Sequence, residues 1–63
     1  MKPGDVTGEG EVTIKDAQTI LKMALKIETT EDEKILAAAD VTGEGEVTLK
    51  DAQTVLKMAL KII

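Results

Sequence analysis

The sequence DVTGEGEVTIKD at residues 5–16 opens a unit that this chain contains twice. It returns at residues 40–51 with one change, and the match continues without a gap. Residues 5–27 therefore align with residues 40–62, and only two positions differ, each an exchange between branched aliphatic side chains. Two copies are too few for a solenoid. We therefore expect two related halves that bury their apolar faces against each other.

Composition leaves this chain few ways to stabilise a fold. It has 63 residues, with no Cys, no His and no aromatic residue. Domains of this length usually need disulfides, a metal or a partner. The missing residue types exclude disulfides, the usual zinc ligands, imidazole general-base catalysis and stacking on bases. A hard cation bound by oxygen ligands is the stabilising group that remains.

Charge and hydropathy exclude further classes of function. The net charge of −4 argues against nucleic acid and anionic membrane surfaces as partners. No apolar run approaches transmembrane length, and no signal peptide precedes the domain. If the natural module is secreted, we expect its leader to lie outside this sequence.

A helical pattern follows each acidic loop. It begins near Asp16, or near Asp51 in the second copy, and repeats apolar residues at spacings of three and four. Between the copies, the spacing of Thr30 and Glu33 matches a capping box and predicts a short helix that runs to Ala39. We predict an all-α fold, a small three-helix domain with two pseudo-twofold-related loop–helix repeats. Its parts are a single domain at residues 1–63, repeat 1 at residues 5–27, a linker and short helix at residues 28–39, and repeat 2 at residues 40–62.

The predicted core takes one arc of each repeat helix. At about 100° per residue, one arc of the first repeat contains Ala17, Ile20, Met23, Ala24 and Ile27. The other expected contributors are Met58 in the copy, Ile35 and Leu36 in the short helix, and Val12 and Val47, which are also expected to form a small β-bridge.

Each acidic loop fits the twelve-residue calcium loop of the EF-hand. That loop has oxygen ligands at positions 1, 3, 5, 7, 9 and 12, and glycine at position 6 for a sharp turn. Gly10 and Gly45 occupy the sixth position, whereas Val6 and Gly8 stay out of the ring. Glu11 is expected to use its backbone carbonyl. The predicted ligands of two Ca²⁺ ions are Asp5, Thr7, Glu9, Glu11, Thr13 and Asp16, with Asp40, Thr42, Glu44, Glu46, Thr48 and Asp51 in the second loop.

The loops also depart from that template. Thr7 is a neutral ligand where Asp or Asn is usual, and Glu9 brings an extra methylene to the fifth position. Fewer carboxylates predict a lower affinity for calcium than a fully acidic loop has. In the alternative interpretation, the loops are ordinary acidic turns and Asp16 merely caps the helix.

With these loops placed, the sequence resembles a dockerin, the small module that attaches enzymes to the cohesin-bearing scaffoldins of cellulosomes. The resemblance rests on both loops and on the run DAQTILKMALKI or DAQTVLKMALKI that each closing Asp begins. A closing Asp in place of Glu and a missing helix before the first loop are also dockerin features. The usual dockerin loop reads D-x-N-x-D-G, from which both loops depart. The resemblance implies three helices, two Ca²⁺ ions, no catalytic activity, a cohesin partner and a secreted bacterial parent protein.

Dockerins bind cohesin chiefly through one repeat helix at a time, and near-identical copies allow either helix to serve, which is called the dual binding mode. The apolar arc of the first helix extends to roughly 200°, whereas a two-layer domain needs little more than a 100° stripe. This surplus supports a partner surface. Carried over residue by residue, the family contacts are Ile14, Lys15, Gln18, Leu21, Lys22, Leu25 and Lys26, with Leu49, Lys50, Gln53, Leu56, Lys57, Leu60 and Lys61 in the copy.

Two other functions fit parts of the pattern. A calcium buffer or sensor would use paired loops, although no helix has room to precede Asp5. An engineered or consensus-built symmetric domain would explain the near-identity of the two copies. An enzyme is the weakest hypothesis, because the chain has no His, Cys or Ser and its acids are committed to the loops.

Overall fold

A computed structural model describes residues 2–62 as three helices and their connecting loops. Helix α1 spans Ile14–Ala24, α2 spans Glu33–Ala39 and α3 spans Leu49–Ala59. There is no strand among residues 2–62, so the predicted all-α class is confirmed. None of these helices is long and apolar enough to cross a membrane.

The two repeat helices begin just before the position that the sequence indicates. Thr13 precedes α1 in an extended conformation, and its backbone N–H donates to Asp16 Oδ2 at 2.8 Å. Thr48 and Asp51 repeat this contact at 2.8 Å before α3. Each closing Asp therefore lies inside the first turn, where its charge also suits the positive end of the helix dipole.

Both repeat helices end in a left-handed turn that the periodicity does not predict. After α1, Lys26 has φ of 64°, and Lys61 has φ of 63° after α3. The Ile27 N–H donates to Lys22 O at 2.9 Å and the Lys26 N–H donates to Met23 O at 3.1 Å, which is a Schellman motif. The predicted core position of Ile27 is therefore wrong: its side chain is 68% exposed, and Ile62 at the corresponding position after α3 is 64% exposed.

Helix α2 starts with a different cap from the one predicted. Asp32 is its N-cap, and the Asp32 side chain accepts a hydrogen bond from the Lys34 N–H at 2.9 Å. Thr30 Oγ1 instead accepts from the Asp32 N–H at 3.1 Å. The predicted capping box between Thr30 and Glu33 is wrong. A capping box needs its Glu at the third helical position, whereas Glu33 is the first residue of α2.

The core lies between α1 and α3, which pack against each other. Ile20 and Val55 are fully buried at its centre, and Met23 is buried as predicted. Leu36 is exposed, against the prediction, since α2 turns Ala38 and Ala39 toward the core instead. The remaining core members are Val6, Ala17 and Ala52, with Val12, Ile35, Val41, Val47 and Met58 half-buried against them.

Two loop contacts complete the packing. Val12 and Val47 pack inward as expected, but the β-bridge predicted between them is wrong within residues 2–62. The chain before the first loop is tied to the end of α2, because the Gly4 N–H donates to Ala38 O at 2.7 Å. A side chain at Gly4 would meet Met58 Cε and Val12 Cγ2 at 3.4 Å, in a backbone conformation with φ of 89°. The space would admit a Cβ atom, but the positive φ favours glycine at this position.

Candidate functional site

The first acidic loop wraps around the carboxylate that opens it. Asp5 is 2% exposed, and its Oδ1 atom accepts hydrogen bonds from the N–H groups of Gly8 and Glu9, both at 3.1 Å. Its Oδ2 atom accepts from the Gly10 N–H at 2.7 Å. Gly10 makes the predicted sharp turn with φ of 89°, a conformation that favours glycine. The loop backbone thus holds one carboxylate in place.

The closing Asp16 joins both ends of the loop. It is fully buried, and its Oδ1 atom accepts from the backbone N–H of Thr7 at 3.0 Å. Its Oδ2 atom accepts from the Thr13 N–H. Asp16 therefore caps α1 and points into the loop at once, so the capping interpretation and the metal interpretation are compatible.

The closing carboxylates are ionised in this environment. Burial raises the pKa of Asp16, but hydrogen bonds from Thr13 and Thr7 outweigh it and leave the pKa below the ordinary value of 3.8. Burial likewise raises the pKa of Asp51, and hydrogen bonds from Thr42 and Thr48 bring it below that value. At neutral pH both groups therefore carry the negative charge that a cation ligand needs.

The oxygen atoms in the first loop are crowded in a way that suits a cation. Carboxylate oxygens of Asp5, Glu9 and Asp16 lie within 4.8 Å of one another. Thr7 Oγ1 lies 2.7 Å from Glu9 Oε1 and 2.7 Å from Asp16 Oδ1. A hydroxyl has one proton, so it can donate to only one of these carboxylates at a time. A hard cation relieves the remaining oxygen–oxygen approach, and this all-oxygen set fits Ca²⁺.

The second loop repeats this geometry with a more open first ligand. Asp40, Glu44 and Asp51 bring carboxylate oxygens within 4.8 Å of one another. Thr42 Oγ1 lies 2.8 Å from Glu44 Oε1 and 2.7 Å from Asp51 Oδ1. Asp40 is half-buried, and its side chain accepts from only two loop N–H groups. The two loops have the same sequence over most of their length, yet the opening Asp is more exposed in the second loop, because the surroundings of the two loops differ.

Most of the predicted ligands converge in the two loops. The side chains of Glu11 and Glu46 are exposed and lie outside the acidic clusters, and the use of their backbone carbonyls stays a prediction. Sequence reasoning missed Lys2, whose Nζ donates to Gly10 O at 2.8 Å, and no pattern in the sequence points to that contact. The predicted ligands that the structure brings together are Asp5, Thr7, Glu9, Thr13 and Asp16 in the first loop, with Asp40, Thr42, Glu44, Thr48 and Asp51 in the second.

A surface groove of about 490 Å³ lies between α1 and α3. It brings together six of the predicted partner residues, three from each repeat. Ala17 and Ala52 also line it, although the sequence indicated them only as core residues. The sequence spacing could have indicated this, because Ala17 follows Ile14, and Ala52 follows Leu49, by three residues on the same helix face. The lining residues are Ile14, Ala17, Gln18, Leu21, Leu49, Ala52, Gln53 and Leu56.

The other predicted partner residues are exposed but do not line this groove. Among them, Leu25 and Leu60 follow the last helical residues of α1 and α3. Every exposed charged side chain on these two helices is a lysine, since the only acids there, Asp16 and Asp51, are buried. The exposed set is Lys15, Lys22, Leu25, Lys26, Lys50, Lys57, Leu60 and Lys61.

Comparisons with known proteins agree with this architecture. A family model described as the dockerin type I domain matches residues 3–60. One similar solved structure, from Acetivibrio cellulolyticus, contains the ScaB dockerin with a mutation in its C-terminal helix, in complex with the third cohesin of ScaC and displaying a type I interaction. It is 39% identical, has a TM-score of 0.87 and is covered over 88% of its length by the whole of this chain. None of the curated proteins matches. Because the family model spans most of its residues, this chain belongs to the dockerin type I family.

Proposed function

We propose that this chain is a calcium-dependent interaction module that docks onto a cohesin domain of a scaffoldin, as in cellulosome assembly. The observation that carries the proposal is the apolar groove between the repeat helices. The chain belongs to the dockerin family, and the similar solved structure is that of a dockerin bound to a cohesin. We further propose that residues 1–63 act as one module of a larger secreted, extracellular protein and have no catalytic role.

Two Ca²⁺ ions are proposed as the cofactors, one in each loop. Carboxylates would come from the opening, fifth and closing positions, with hydroxyl and backbone oxygens completing each ring. The crowded oxygens of Thr7, Glu9 and Asp16 support this assignment. Bound ions supply positive charge that holds the carboxylates together, and the closing Asp then fixes the start of each repeat helix.

The partner surface supports docking over a simple calcium buffer. Acidic loops alone would suit either function. A buffer, however, has no need of leucines on its outer surface, and Leu21 and Leu56 are each 40% exposed. Near-identity of the two repeats also supports docking in either of two orientations, related by the exchange of α1 and α3.

Calorimetry with the third ScaC cohesin and a panel of other type I cohesins tests this function. We expect saturable binding by the calcium-loaded chain and its loss in excess chelator. Leu36→Ala is the matched control, because Leu36 is as exposed as the groove leucines but lies on α2, and this variant should bind normally. If no cohesin of the panel binds the calcium-loaded chain, the proposed function is wrong.

A further inference from the structure

We propose that the two calcium loops differ in affinity although their sequences are nearly the same. The first loop binds Ca²⁺ more tightly, because residues 2–4, the entry segment, hold its opening carboxylate in place. The second loop then sets the calcium concentration at which the module is fully loaded. This inference rests on the proposed function, in which each loop takes one ion. Sequence alone predicts equal sites, since the two loops differ only at Ile14 and Leu49.

The first support is the set of hydrogen bonds that each opening carboxylate accepts. Asp5 accepts three from backbone N–H groups, whereas Asp40 accepts two. The difference arises at the fourth loop position. There the Gly8 N–H donates to Asp5 Oδ1 at 3.1 Å, but the Gly43 N–H donates to the main-chain carbonyl of Asp40 at 3.2 Å. A carboxylate has about four acceptor positions, so three donors fix Asp5 and leave one position for a cation.

The enclosure of the opening carboxylate differs in the same direction. Asp5 is 2% exposed, whereas Asp40 is half-buried. Water around a carboxylate screens its attraction to a cation, and a ligand that is already held loses less conformational freedom on binding. Both effects favour the first loop. The closing ligands do not offset the difference, because Asp16 and Asp51 are both fully buried and accept corresponding hydrogen bonds.

The entry segment is what holds the first loop. The Gly4 N–H donates to Ala38 O at 2.7 Å, which anchors the segment on the end of α2. The Asp5 N–H donates to Lys2 O at 3.0 Å, and Lys2 Nζ reaches Gly10 O at 2.8 Å. The segment therefore contacts both the start of the loop and its sixth position. The ammonium charge opposes a bound cation, but it is exposed, so solvent and salt keep this repulsion small.

The second loop is preceded by a helix instead of a turn. Asp40 is the C-cap of α2, and its N–H donates to Leu36 O at 3.0 Å. The position that corresponds to Gly4 is Ala39, the last residue of α2. The end of a helix therefore directs the backbone at Asp40, and the carboxylate stays more open to solvent. The same ligand types in these two surroundings should bind one ion with different affinities.

A mirror pair of variants compares the two loops at the same folding cost. Asp51→Asn disables the second loop and leaves the first intact, whereas Asp16→Asn does the reverse. Because the two carboxylates occupy corresponding buried positions, each change disturbs the fold to the same extent. Calorimetric titration with Ca²⁺ should give a dissociation constant about fivefold lower for Asp51→Asn than for Asp16→Asn. NMR signals of the Gly10 and Gly45 N–H groups, each bonded to its own opening carboxylate, identify the loop that fills.

Gly4→Ala, added to each member of the mirror pair, tests the entry segment. A residue with a side chain is strained at the φ of 89° found there, so the change should loosen the turn that holds Asp5. A general loss of stability weakens calcium binding equally in both members. We expect the first loop of Asp51→Asn to lose about threefold in affinity beyond the loss in the second loop of Asp16→Asn.

The outcomes separate this inference from the proposed function. Equal dissociation constants in the mirror pair, or tighter binding by the second loop, overturn the unequal sites. Equal losses on Gly4→Ala overturn the role of the entry segment. If circular dichroism shows that an Asp variant does not fold, Glu9→Gln and Glu44→Gln give the same comparison through exposed side chains. The unchanged chain is titrated with the third ScaC cohesin at saturating calcium in parallel, and binding there leaves the proposed function standing in each case.

Discussion

At the scale of single residues, the closing Asp of each loop makes the hydrogen bonds that connect the loop to its helix. Asp16 caps α1 through the Thr13 N–H and accepts two hydrogen bonds from Thr7, so one buried carboxylate joins the loop to its helix. The sequence placed this residue in the ring by spacing alone. What spacing could not show is that the Thr7 hydroxyl lies between two carboxylates, because that depends on side-chain rotamers and not on the order of residues.

Replacing Glu9 by Gln tests whether the fifth position ligates. Glu9→Gln keeps the length of the side chain and removes its charge, so calcium affinity of the first loop should fall about tenfold or more. The second loop, which keeps Glu44, should be unaffected. Calorimetric titration with Ca²⁺ should then resolve two classes of site.

The matched control for that change lies in the same loop. Glu11→Gln removes the same charge from an exposed side chain outside the cluster, so its effect on calcium affinity should be small. Equal losses in the two variants would mean that only the overall charge of the loop matters and that Glu9 is not a ligand.

At the scale of elements, periodicity predicted which helices form but not where they end. Ile20, Met23 and Val55 are buried as the helical arc requires. The predicted burial of Ile27 was wrong, because helical periodicity holds only within the helix and the chain leaves α1 through a left-handed residue at Lys26. The predicted start of α2 was wrong for a different reason. Thr30 and Asp32 are both suitable N-cap residues, and only the structure shows that the backbone uses Asp32.

The left-handed lysines predict an unusual stabilising substitution. Lys26→Gly should raise the free energy of unfolding by about 0.5–1 kcal/mol, because glycine adopts this conformation without the steric cost of a Cβ atom. Lys22→Gly, inside α1, should lower the free energy of unfolding by about 1 kcal/mol. Thermal denaturation in calcium measures both. A destabilising Lys26→Gly would mean that contacts of the lysine side chain outweigh the backbone strain.

At the scale of the whole molecule, a small core and two acidic loops have to produce one stable surface. The buried core consists largely of Val, Ala, Ile and Met, and about 60 residues rarely supply much stability from such a core. The loops bring six carboxylates into two clusters of three, and without a cation the carboxylates within each cluster repel one another. We therefore infer that calcium binding and folding are coupled, and that the docking groove exists fully only when the loops are loaded.

Titration of the metal-free chain with Ca²⁺, followed by calorimetry and circular dichroism on the same sample, tests this coupling most directly. The account predicts two bound ions per chain and a gain in helicity as the loops fill. Full helicity in chelator, with no heat of binding at about millimolar Ca²⁺, would contradict it, because the loops would then be acidic turns that fold without a metal.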